Sequence, residues 1–271
     1  MTQADYWRPS DDDGTVVMDQ AAIDEVAQLL LRARKTGERI EPLPPRLKPA
    51  NFADSCAVMD AVDRLVGDRI AGTKIAAKPG TEVVYAPLHA GRVFTSPARI
   101  PRALTPSCCM ECEISFRVVH ELPPRGTPYS EQEVFDALEA CAAFELVDSR
   151  FRDLKTAMEK TPYEFYADHI ANGAMVFGAF RRDWQKFDFG AMRVSMKQGS
   201  RIMIEKTGGH PTVNPAKPAA VLANIRRTTT GLAAGTLVVT GSFTGYHKVE
   251  VETPVIGEFD GFGTMEATIV G

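Results

Sequence analysis

The sequence predicts an α+β fold built around mixed, curled β-sheets. Short apolar runs of strand texture fill the chain from residue 72 to its end, and a few well-signalled helices interrupt them. Many strands with a few helices, not alternating regularly, point to an α+β domain. With 271 residues, 44% hydrophobic and 24% charged, the chain can bury a substantial core.

Residues 1–18 read as a loose leader with aspartates at 11–13 and Gly14. Asp19 is a helix cap for a segment with Ile23, Val26, Ala27, Leu30 and Leu31 on one face, and Gly37 ends it. A proline-rich connector follows, then a second helix at 54–66 with Ala57, Val58, Val62 and Leu65 at helical spacing. Residues 1–70 thus form an expected leader and helical layer, and 71–271 the mixed-sheet domain. Candidate strands lie at 73–76, 92–94, 112–119, 144–147, 174–180, 192–196, 201–205, 237–241, 255–259 and 265–270. Helices are expected at 131–142, behind the capping box of Ser130 and Glu133, and at 216–228 after Pro215.

A net charge of -4, with acids and bases interspersed, argues against nucleic acid or an anionic membrane as the main partner. No basic stretch leads into an apolar one at the amino terminus, and no apolar run approaches a membrane span, so a cytoplasmic protein is expected. Five cysteines give no disulfide framework. Cys109 and Cys112 form a C-x-x-C without a second pair or a nearby histidine, so buried apolar thiols are the simpler reading.

The chemistry lies in the segment 110–119. Cys112, Ile114, Phe116 and Val118 face one side of a strand, and Glu111, Glu113 and Ser115 the other. Two carboxylates at i and i+2 stand about 7 Å apart at the backbone, and their side chains can converge. In a cleft they repel each other unless a hard divalent cation sits between them; on an open face they are simply solvated. A second segment places Glu145 between Phe144 and Leu146, where a buried carboxylate needs a partner. Arg150 is one candidate, and a metal shared with Glu111 and Glu113 is the other.

These residues stand in an order that resembles the 2-oxopent-4-enoate hydratase and 4-oxalocrotonate decarboxylase family, within the fumarylacetoacetate hydrolase superfamily. The resemblance runs from about residue 20 to the end. It rests on Ala33 to Gly37, Gly72 to Ile75, Glu111-Cys112-Glu113, Glu145 to Arg150, Ala167-Asp168 ahead of Gly173 to Gly178, Gly209-His210-Pro211, and Val239 to Ser242. It implies a curled mixed-sheet roll with an amino-terminal helical layer, assembled as a homo-oligomer. It also implies that Glu111, Glu113 and Glu145 hold Mg²⁺ or Mn²⁺ and that Lys74 is the active-site lysine. Without it, Lys74 reads as a strand lysine paired with Asp68 or Glu82. Thr240 and Ser242 become substrate-binding candidates, though a strand-end turn accounts for them equally.

Departures from the family pattern surround the expected substrate position. His89 stands where relatives place an aspartate, and it is either an acid–base group or a loop histidine. Where hydratases carry an Asp-Asn-Ala-Ser-Ser-Gly-like stretch, this chain reads Asp168-His169-Ile170-Ala171-Asn172-Gly173, and Asn172 is a substrate-binding candidate that replaces only one of the lost hydrogen-bonding groups. The glycines at 231, 235, 257, 261 and 263 mark turns, not phosphate-binding loops. The resulting expectation is a metal-dependent lyase of small 2-oxo acids, foremost a hydratase of a 2-hydroxy-alka-2,4-dienoate in aromatic catabolism. The rivals are a decarboxylase of a 2-oxo-3-enedioate, a dehydratase of a 2-oxo-3-deoxy sugar acid, a superfamily C–C hydrolase, and a silent partner subunit.

Overall fold

A computed structural model describes residues 15–271. The aspartates at 11–13 and most of the expected leader lie outside the described residues. Helix α1, Gln20–Thr36, starts where the Asp19 carboxylate accepts from the Ala22 amide, and it ends at Gly37 in the left-handed region. Helix α2, Phe52–Val66, begins two residues before its expected start because Asn51 caps it by accepting from the Asp54 amide. The two helices pack on each other, and α2 also meets β2, Val84–His89.

The larger sheet has the order β2-β1-β10-β5-β6-β7-β3, with β11 also paired to β5. Its members are β1, Ile70–Ala76; β3, Val93–Thr95; β5, Cys109–Val118; β6, Leu138–Val147; β7, Asn172–Phe177; β10, Leu237–Ser242; and β11, His247–Lys248. The β1–β10 and β3–β7 pairs are parallel and the others antiparallel. The smaller sheet runs β4-β13-β12-β8-β9, with β4 at Ala98–Pro101, β8 at Arg193–Gln198, β9 at Arg201–Thr207, β12 at Val255–Phe259 and β13 at Gly263–Val270. Strands β12 and β13 lie against β6. Phe116, on the apolar face that alternation assigns, and Phe144, opposite Cys112 on β6, are fully buried. Gly72 lets β1 approach β10, since a Cβ there would stand 2.1 Å from the Leu237 carbonyl oxygen.

One expected helix is corrected. The capping box at Ser130 does start α3, Glu131–Asp136, but residues 138–147 form strand β6 instead of continuing to 142. The Ala-rich stretch favours a helix locally; ten consecutive rungs to β5 override that preference. Strands β2 and β4 were not expected, nor were helices α4, Leu154–Lys160, and α5, Pro162–Ala167. Helix α6, Lys217–Arg226, is slightly shorter than foreseen. Of the C-x-x-C thiols, Cys112 is buried, as the apolar reading had it, whereas Cys109 is only partly buried. No helix among the described residues is long and apolar enough to cross a membrane.

Candidate active site

Strand register brings the carboxylates together. Glu111 pairs with Glu145 across β5 and β6, and Glu113 stands one inward-facing rung further along β5. Each of the three offers an oxygen within 4.8 Å of the others. Glu113 and Glu145 are fully buried, while Glu111 keeps partial exposure. Lys74 on β1 donates to both oxygens of Glu145, at 2.6 and 2.7 Å, and to the Ile170 carbonyl at 3.1 Å. Its partner is therefore neither Asp68 nor Glu82. Asn172 donates its side-chain amide to Glu145 Oε1 at 3.0 Å.

The electrostatics of this cage are unbalanced. If all are ionised, three carboxylates and one ammonium leave two negative charges uncompensated. Burial and the neighbouring Glu145 push Glu111 up to about 8, against the pull of Lys74 and a hydrogen bond from Ser242. Burial, Glu145 and Glu111 raise Glu113 well above the usual carboxylate range. Burial alone would lower Lys74, but Glu145, Glu111 and Glu113 hold its amine above the ordinary lysine value. Glu113 Oε1 has no hydrogen-bond partner. An all-oxygen donor set, a missing partner and a deficit of two positive charges fit a hard divalent cation.

The backbone around the cage is arranged to hold it. Gly241, at φ 118°, donates its amide to Glu113 Oε2 at 3.3 Å. His210 braces the same bend through Nε2, 3.0 Å from the Thr240 carbonyl. The Thr240 hydroxyl donates to the Ile114 carbonyl, whereas Ser242 reaches Glu111. Arg150 does not partner Glu145. It is buried against Asp168, donating through Nε to that carboxylate, through Nη2 to the Asp168 carbonyl at 2.6 Å and through Nη1 to the Asn172 carbonyl at 3.1 Å. Between those anchors, His169, Ile170 and Ala171 all lie in the left-handed region, with φ of 54°, 52° and 54°. Such a turn costs energy for residues with a side chain and needs surroundings that enforce it. It presents the Ile170 carbonyl to Lys74 and Asn172 to Glu145.

His89 joins a second cluster. Its Nε2 and that of His169 each lie 2.7 Å from the same oxygen of Asp63, on α2. Burial and the nearby Arg34 charge push His169 down to about 3, against the opposing pull of Asp63. Burial opposes ionisation of Asp63, but both histidines pull its pKa down, and it lies below the usual carboxylate range. Sequence reasoning singled out His89 but neither Asp63 nor His169. The available signal was that His169 departs from the pattern the sequence resembles.

The curled mixed sheet and its helical layer define a fold of the fumarylacetoacetate hydrolase type. The chain aligns with a 2-keto-4-pentenoate hydratase from Burkholderia vietnamiensis at 24% identity, over 92% of this chain and 98% of that protein. Among solved structures it is similar to 4-oxalocrotonate decarboxylase from Pseudomonas putida G7, complexed with calcium and acetate, at a TM-score of 0.79 and 18% identity. That overlap covers 94% of this chain and 100% of the decarboxylase. Fumarylpyruvate hydrolase from Pseudomonas aeruginosa, complexed with Mn²⁺ and pyruvate, gives a TM-score of 0.54 at 14% identity, covering 73% of this chain and 88% of that one. No family model matches the chain. The resemblance read from the sequence is thus borne out over nearly its whole length.

Proposed function

We propose that this protein is a Mg²⁺- or Mn²⁺-dependent lyase of small 2-oxo acids, adding water to a 2-hydroxy-alka-2,4-dienoate. The observation that carries the proposal is the convergence of Glu111, Glu113 and Glu145, each offering an oxygen within 4.8 Å of the others, with Lys74 beside them. When bound there, a divalent cation supplies a Lewis acid for an α-keto carboxylate. The name of the Burkholderia relative supports water addition.

The chain's own residues have separate tasks in this reading. Glu111, Glu113 and Glu145 hold the cation, and Asn172 fixes the orientation of Glu145. Lys74 Nζ stabilises negative charge as the substrate's enolate develops, an electrostatic role preorganised by the Ile170 carbonyl. Ser242, at the partly exposed Glu111 edge, supplies a hydroxyl for a substrate oxygen. Thr240 shapes the strand end through Ile114. A homo-oligomeric assembly and a role in aromatic catabolism belong to the same proposal.

The rival reading is decarboxylation of a 2-oxo-3-enedioate on the same cage, supported by the overlap with the Pseudomonas putida enzyme. Purified protein with Mg²⁺ or Mn²⁺, assayed against dienoate, enedioate and 2-oxo-3-deoxy sugar-acid panels, separates the two. Water addition to the dienoate without carbon dioxide release is the expected result. Carbon dioxide release from the enedioate alone would replace it with the rival. Loss of neither substrate, with activity appearing only beside a related active chain, would assign a silent subunit.

A further inference from the structure

We propose that Asp63, His89 and His169 form a second metal site, selective for a borderline transition ion such as Zn²⁺ or Co²⁺ and separate from the carboxylate cage. Three elements supply the ligands: α2 gives Asp63, the end of β2 gives His89, and the turn after α5 gives His169. One donor atom from each lies within 4.8 Å of the others, and both imidazole Nε2 atoms stand 2.7 Å from the same Asp63 oxygen. The two histidines are 4% and 1% exposed, so water does not explain their convergence.

A second observation points to a ligand. Asp63 Oδ2 and His169 Nδ1 are buried and have no hydrogen-bond partner. A site meant only to satisfy its own protons would not crowd two donors onto one oxygen and leave the other bare. Two imidazoles and a carboxylate are a familiar transition-metal donor set, and their nitrogen content disfavours Mg²⁺ relative to Zn²⁺, Co²⁺ or Fe²⁺. His89 and His169 are also two of the positions at which the sequence departs from the pattern it resembles. Those separate departures meet in space at one carboxylate.

The cluster has a route to the cage. His169 opens the left-handed turn whose next residue, Ile170, accepts from Lys74, and whose end, Asn172, donates to Glu145. A cation on His169 would brace that turn. The Arg34 guanidinium lies near enough to depress His169, with Asp63 and Asp168 as its counter-charges. Its charge opposes a second cation, so the affinity is expected to fall below that of a four-ligand structural zinc site.

The test uses chelator-stripped full-length protein, with the cage first filled by excess Mg²⁺, and Co²⁺ titrated against its visible absorption. One equivalent of Co²⁺, displaced by Zn²⁺, is expected. His89→Asp and His169→Asn, which restore the residue types of the relatives, are each expected to weaken Co²⁺ binding about 10–100-fold or more, at least the loss seen on removing an outer-shell partner. Mn²⁺ binding at the cage should persist in both variants and weaken in Glu113→Gln, which should keep its Co²⁺ equivalent. Co²⁺ binding that is absent, or unchanged in both histidine variants, overturns the proposal. Persistent Mn²⁺ binding in the same samples shows that the protein remains folded and leaves the cage reading standing.

Discussion

The carboxylate cage and the Asp63 cluster are both gathered from separated segments, yet they handle charge in opposite ways. The cage collects three carboxylates around one ammonium, and Glu111 and Glu113 are pushed toward holding protons. The Asp63 cluster sets one carboxylate against two imidazoles, and Asp63 stays ionised. In the first, the excess of like charge is relieved either by protons on the carboxylates or by a cation. The second holds a single carboxylate facing two imidazoles, with no such excess. Metal removal should therefore act on the two regions very differently.

The largest effect should come from the cage itself. Glu113→Gln is expected to take turnover to background and to weaken Mn²⁺ binding, with metal-free thermal stability retained, because a carboxylate already driven toward neutrality is replaced by a neutral isostere. Calorimetric Mn²⁺ titration beside the dienoate assay reads both; unchanged affinity would remove Glu113 from the ligand set. Arg150→Ala strikes the support shared by both regions. Leaving Asp168 buried and unpaired should cost about 3–5 kcal/mol, measurable by urea unfolding, and a loss below about 1 kcal/mol would show that the turn at 169–171 is held elsewhere.

Lys74→Ala should lower the chemical step by about 10²–10³-fold while Mn²⁺ remains bound, since the substitution removes a positive charge from the cage. Single-turnover kinetics check this, and a wild-type rate would end the assignment. A smaller effect is expected from pH. Glu111 binds its proton up to about 8 in the folded, metal-free chain but only to about 4.3 when unfolded. The folded state therefore holds more protons across that window, and metal-free stability should fall as pH rises through it. Saturating Mn²⁺ should abolish the decline, because binding displaces the proton. A metal-free melting temperature that climbs from pH 5 to 8 would contradict the charge account. Asn172→Ala should reduce Mn²⁺ affinity least, about tenfold.

The cage was legible because a strand's period of two assigns Glu111 and Glu113 to one face without knowledge of the fold. Glu145 was identified by an apolar setting that a solvated glutamate would not choose. The Asp63 cluster had no such pattern. Asp63 lies on a helix whose periodicity reports only its apolar face, and its meeting with His89 and His169 depends on how three elements dock. Strand β6 was partly misread because alanines favour helix until a ten-rung partner is present. Strand β2 was missed because Pro87 interrupts an otherwise strand-like run. Arg150 was one of two partners open to Glu145, and nothing in sequence spacing showed that it instead pairs with Asp168.

The most direct measurement is a crystal structure with Mn²⁺ and pyruvate, using anomalous scattering to locate the ion. The expected result is a Mn²⁺ peak coordinated by Glu111, Glu113 and Glu145, with the pyruvate carboxylate and keto oxygen facing it and Lys74 alongside. Carboxylates hydrogen-bonded to one another at saturating Mn²⁺, with no anomalous peak among them, would contradict it.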